Sequence, residues 1–114
     1  MNREIDASAV ARAALPVAIL ATLRAQPAHG YALIELLNLD GFPDLKGGTL
    51  YPLLARLEYQ GLVQFQWNHD QTGPGRKIFN ITDQGEAFLD AALGAWQDMG
   101  MTLESLSTRG RNRP

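Results

Sequence analysis

Cysteine is absent from the 114 residues, which excludes disulfides and thiolate chemistry and suits a reducing compartment. Histidine occurs only at His29 and His69, in separate segments with no patterned acids beside them, so no metal site is expected. The N-terminus has no basic-then-apolar pattern, and no uncharged run approaches the ~20 apolar residues of a bilayer span, so a cytoplasmic protein without a membrane partner is expected. There is no nucleophile elbow and no phosphate loop or dinucleotide fingerprint. Gly73-Pro74-Gly75 lacks the strand-to-helix context that a phosphate loop needs. Neither an enzyme nor a cofactor is implied. Also missing is any Lys or Arg between residues 83 and 106, a stretch that holds five acids.

The remaining composition is that of a single folded domain, with 46% apolar and 19% charged residues. A net charge of −2 speaks at first against nucleic acid, but the charges are segregated. Residues 45–82 are net +2 through Lys46, Arg56, Arg76 and Lys77, against −5 for residues 83–106. One cationic face can bind phosphate despite an acidic total.

Apolar residues Val10, Ala13, Ala14, Val17, Leu20, Ala21 and Leu23 recur at helical spacing, with a break or kink expected at Pro16 and a firm helix over 16–25. Residues 26–28 read as a connector. A second helix is expected over 30–39, turning Tyr31, Leu33, Ile34 and Leu37 inward, followed by a turn over 40–44. The third helix carries Leu50, Leu53, Leu54 and Leu57 and stops at Gly61. Pro52 should lie in or near its first turn, and its start is either capped by Thr49 or already turning at Lys46-Gly47-Gly48. The opposite face carries Tyr51, Ala55, Arg56 and Tyr59. Val63–Asn68 alternates apolar and polar as a half-buried strand, residues 70–75 form a loop, and 77–81 return as the second strand of a hairpin. Thr82-Asp83 caps a final helix.

That last helix places Leu89, Ala92, Trp96, Met99, Leu103 and Leu106 at alternating spacings of three and four, a heptad seam. Gly94 and Gly100 each cost about 1 kcal/mol in a helix interior, so packing has to stabilise it. Pairing with a second copy is the expected role, and packing on the chain's own first helix is the competing one. The organisation that follows is a mainly α fold with a small β-hairpin. Residues 1–82 form a winged helix-turn-helix, 83–106 a dimerisation helix, and 107–114 a flexible tail.

The ordered set His29-Gly30-Tyr31, Gly48-Thr49-Leu50-Tyr51-Pro52-Leu53-Leu54, Arg56-Leu57-Glu58, Gly61-Leu62-Val63, Gly73-Pro74-Gly75-Arg76-Lys77 and Ile81-Thr82-Asp83-Gln84-Gly85 resembles the PadR family of bacterial transcriptional regulators over residues 15–105. The single C-terminal helix with a Trp in its seam resembles the small subfamily that dimerises through that helix, some of whose members bind flat apolar drugs between the paired helices. Two departures stand out: Phe79 where the family often has Tyr, and Lys46-Gly47 where a Ser or Asn cap is common.

The resemblance implies a homodimeric regulator of double-stranded DNA, acting as a repressor. The alternative is a winged-helix module for protein–protein interaction. Thr49, Tyr51 and Arg56 are the expected contacts of the reading helix, with Tyr51 packing on the second helix as its competing role. Lys46 is an expected backbone contact. Arg76 and Lys77 are expected phosphate or minor-groove cations, with Gly73 and Gly75 allowing close approach. Trp96 and Met99 are the expected platform for a small aromatic effector, which Asp98 and the acidic helix would favour as a cation. Filling the seam is their competing role.

Overall fold

The computed structural model describes residues 3–69 and 75–112. The first helix, α1 (Arg3–Ala25), runs unbroken through Pro16, and the expected break is absent. Proline removes one backbone bond there, the one to the Arg12 carbonyl. Burial of Leu15, Ile19, Leu20 and Leu23 on the inward side holds the helix together across the gap. The inward face is also narrower than the spacing indicated, since Val10, Ala13 and Ala21 are exposed. Ser8–Ala25 is long and apolar enough by composition to cross a bilayer, contrary to the sequence reading, and is the one such segment among the described residues. Its four large buried side chains are committed to the intramolecular core.

After α1 the chain makes a two-residue strand, β1 (Ala28–His29), where only a connector was expected. It adds an edge to the expected hairpin of β2 (Val63–Asn68) and β3 (Arg76–Ile81), giving an antiparallel sheet of order β1-β3-β2. Ala28 lies opposite Phe79 and His29 opposite Ile78, while Phe65 faces Phe79 and Trp67 faces Lys77 across the hairpin. Two residues show no periodicity, so only pairing with β3 defines this strand.

Between β1 and β2 lies the helix-turn-helix: α2 (Gly30–Leu39) and α3 (Gly47–Tyr59). His29 caps α2, its Nδ1 accepting the Ala32 N–H at 3.1 Å. Asn38 fixes the turn by bonding both backbone groups of Leu45, accepting its N–H at 2.9 Å and donating to its carbonyl at 3.3 Å. Tyr31, expected inward, is 62% exposed, because a helix this short buries only Gly30, Leu33 and Leu37. The helix α3 begins at Gly47 with Lys46 as an N-cap that offers no side-chain bond, so Thr49 lies inside the helix and Pro52 falls in its second turn. Leu50, Leu54 and Leu57 are buried and Leu53 partly so. Gly61, at φ +80°, ends the helix in the left-handed region that glycine adopts without a Cβ penalty.

The final helix, α4 (Asp83–Arg111), starts at Thr82, whose hydroxyl accepts the Gly85 N–H at 3.0 Å and donates to the Gly61 carbonyl at 2.7 Å. One threonine thereby ties the end of α3, the sheet and α4 together. The helix continues through residue 111, into the stretch expected as a tail, with Arg109 and Arg111 at the negative end of its dipole. Arg24 anchors α1 to α4, its Nε 2.6 Å from Glu86 and its Nη2 2.7 Å from Asp90. These bonds, Glu86's first and then Asp90's, raise the guanidinium above the usual arginine value.

Candidate nucleic-acid interface

Because Leu50, Leu54 and Leu57 point into the core, α3 turns Thr49, Tyr51, Ala55, Arg56 and Tyr59 outward. All five are exposed, with Tyr59 at 93%. Among the described residues the salt bridges are those of Arg24, so Arg56 and the exposed Lys46 are not drawn into ion pairs there. Tyr51 packs on the second helix, its competing role, while remaining on the outward face of α3. Its ring lies over the backbone of Gly30, where a Cβ would come within 2.7 Å of the phenol oxygen, and against Gly47. Yet half of it is open to solvent. Gly30 is therefore required by the tyrosine above it, which links the first residue of α2 to the outward face of α3.

The hairpin separates its two cations. Arg76 lies on the same sheet face as Ile78 and that residue's partner His29, so its Nη1 comes within 3.4 Å of His29 Nε2. Lys77 lies on the opposite face, its ammonium 4.2 Å from the centroid of the Phe65 ring and 5.7 Å from that of Trp67. Gly75 sits under His69, whose Nδ1 would be 2.6 Å from a Cβ there. Gly73 is outside the described residues.

Between α3 and the hairpin runs a groove of about 540 Å³ lined by His29, Tyr51, Glu58, Arg76 and Lys77 among others. The fold thus brings Tyr51, Arg76 and Lys77 to one place from segments some 25 residues apart. Thr49 does not join them. It lines a separate hollow of about 450 Å³ beside Arg12, Phe42 and Asp44, and Lys46 and Arg56 line neither. Sequence reasoning missed His29 and Tyr31 as groove residues. A motif that pairs a helix cap with an adjacent aromatic was the available signal, but the sheet edge that turns His29 toward Arg76 had none.

The C-terminal seam divides at its first member. Leu89 is fully buried in the chain's own core, and Ala92 is half-buried. Trp96, Met99, Leu103 and Leu106 are exposed along the projecting helix. Leu89 is thus committed within its own protomer, because α1 and the sheet pack against the first turns of α4.

The sequence model of the transcriptional regulator PadR-like family matches residues 19–91. A PadR family transcriptional regulator from Eggerthella lenta is 35% identical with a TM-score of 0.79, the match covering 85% of this chain and 84% of that one. A PadR-like transcription factor from Bacteroides fragilis is 30% identical with a TM-score of 0.76, over 87% of this chain and 95% of that one. A PadR-like regulator from Bacillus cereus is 30% identical with a TM-score of 0.75, over 84% and 93% respectively. No protein of curated description matches the chain. The family match spans the core of α1, the helix-turn-helix with its groove, and the buried start of α4. The chain belongs to the PadR-like family of transcriptional regulators.

Proposed function

We propose that the protein works as a homodimeric, sequence-specific repressor that lays α3 in the major groove of duplex DNA and its hairpin along the neighbouring backbone. One observation carries this reading: Tyr51 and Ala55 on the outward face of α3 and the hairpin cations Arg76 and Lys77 line a single open groove. Phosphates held at the hairpin would leave Tyr51 within reach of base edges, with Thr49 and Arg56, which lie outside the groove, as further contacts of the same helix. Lys46 adds a point charge at the start of α3, and Gly75 lets the backbone approach.

The exposed row Trp96, Met99, Leu103 and Leu106 supports pairing with a second copy. Two copies of Trp96 facing one another would sandwich a flat aromatic effector, with Met99 adapting around it and Asp98 favouring a positively charged one.

A salt titration against random duplex DNA tests the DNA reading: log K should fall linearly with log salt, by about one unit of slope per phosphate contact. Binding that is absent or indifferent to salt overturns it in favour of a protein-interaction module. The effector reading is tested in a Trp67→Phe background, which leaves Trp96 as the sole indole. Flat cationic dyes should quench that fluorescence and lower DNA affinity together, and dyes that leave it unchanged overturn the effector site.

A further inference from the structure

The contact between His29 and Arg76 cannot be a hydrogen bond between the two side chains. The Nδ1 of His29 accepts from the Ala32 N–H, so the neutral ring carries its proton on Nε2. Arginine offers only donors. Two N–H groups therefore converge at 3.4 Å on the wall of the groove, on the same face of the sheet, held there by the β1–β3 register. Converging donors of this kind match an anion with several lone pairs, which each can reach without displacing the other. The Ala32 amide in the first turn of α2 is not the attraction, because the ring's other nitrogen already accepts from it.

We infer that His29 Nε2 and Arg76 Nη1 together hold one phosphate of the DNA backbone. This rests on the DNA reading above and adds to it a neutral donor contributed by β1. Lys77, its ammonium over Phe65 and Trp67, and Glu58 line the same groove. Arg76 supplies the charge of the clamp and His29 its direction.

The variant His29→Asn separates the two jobs of the ring. Asparagine is among the best N-cap residues, so its amide oxygen keeps the bond to Ala32 while the Nε2 donor is lost. Binding of a random duplex is measured against salt at about pH 8 for the wild type, H29N, R76Q and the double variant, with thermal melts alongside. H29N should bind roughly tenfold more weakly with the salt slope unchanged, since no charge is removed. R76Q should lower the slope by about one, and the double variant should lose less than the product of the two single losses. H29N binding like the wild type, or losses that multiply fully, overturns the shared phosphate.

A second measurement changes the DNA instead. In a duplex selected for tight binding, single neutral methylphosphonate replacements should reveal one position that weakens the wild type more than either single variant and leaves the double variant unaffected, and a scan without such a position also overturns the clamp. A wild type with no salt-dependent binding overturns the DNA reading itself, whereas a binding wild type with an indifferent H29N overturns this inference alone.

Discussion

Between Leu15 and Leu89 one set of large side chains closes into a core: Ile19, Leu20, Leu33, Leu50, Leu54 and Leu89 are sealed from solvent. Past Leu89 the same helix carries Trp96, Met99, Leu103 and Leu106 into the open. The radius of gyration of 17.4 Å, against about 13 Å for a compact chain of this length, reflects that projecting arm. The winged half buries a leucine-rich core and exposes aromatic rings, Tyr31, Tyr51, Tyr59 and Trp67, beside its outward cations. The arm differs, with acids and no cation as far as Leu106 and its apolar seam exposed. Under the proposed dimer, the arm is the part that would pair two copies.

The sharpest break in that contrast would come from charging the seam. Trp96→Arg with Leu103→Glu should yield a monomer with a helical spectrum close to the wild type, and DNA affinity should fall by about 10²–10⁴-fold as the second half-site is lost. A dimer that survives in sedimentation would show that the arm is not what pairs. In the winged half, Leu54→Ala should cost about 2–5 kcal/mol in chemical denaturation, the price of a cavity under α3. The same truncation at Leu106 should leave the monomer's stability nearly untouched, and equal losses would erase the distinction between the halves.

Smaller effects sharpen the picture. Arg56→Gln should flatten the salt dependence of DNA binding by about one unit without altering the melt. At Gly94 a Cβ would enter open space, so Gly94→Ala should stabilise α4 by about 1 kcal/mol, read as a rise in melting temperature. The least change is expected from Arg24→Gln: a slight drop in melting temperature that high salt removes, since the bridges to Glu86 and Asp90 are exposed. Because those bridges raise Arg24 above the usual arginine value, their support is fully present below that value and is lost only as pH climbs through it. Melts between neutral and mildly alkaline pH should therefore show no loss from this group.

Much of the fold was legible in local patterns. The bounds of α2 and β2, the Gly61 stop and the Thr82 cap follow from periodicity and capping chemistry. Three features were hidden, each for a non-local reason. Pro16 sits within α1 because distant side chains bury the residues around it. Tyr31 faces out because the short α2 buries only Gly30, Leu33 and Leu37 against the rest of the fold. The edge strand β1 exists only through its pairing with β3. The candidate site shows the same division, since Tyr51 and Arg76 were readable as outward residues while the role of His29 depends on where the sheet turns it.

By itself, then, the sequence determined the elements other than β1 and the full extent of α1, the segregation of charge and the seam, because helix and strand periods, caps and charge runs are properties of neighbours along the chain. Tertiary structure decided which cations share a groove, that Lys77 lies over aromatic rings while Arg76 meets His29, and that Leu89 belongs to the core while Trp96 stays open. Those outcomes depend on strand register and on which helix faces are covered, and both are settled only when segments far apart in sequence pack together.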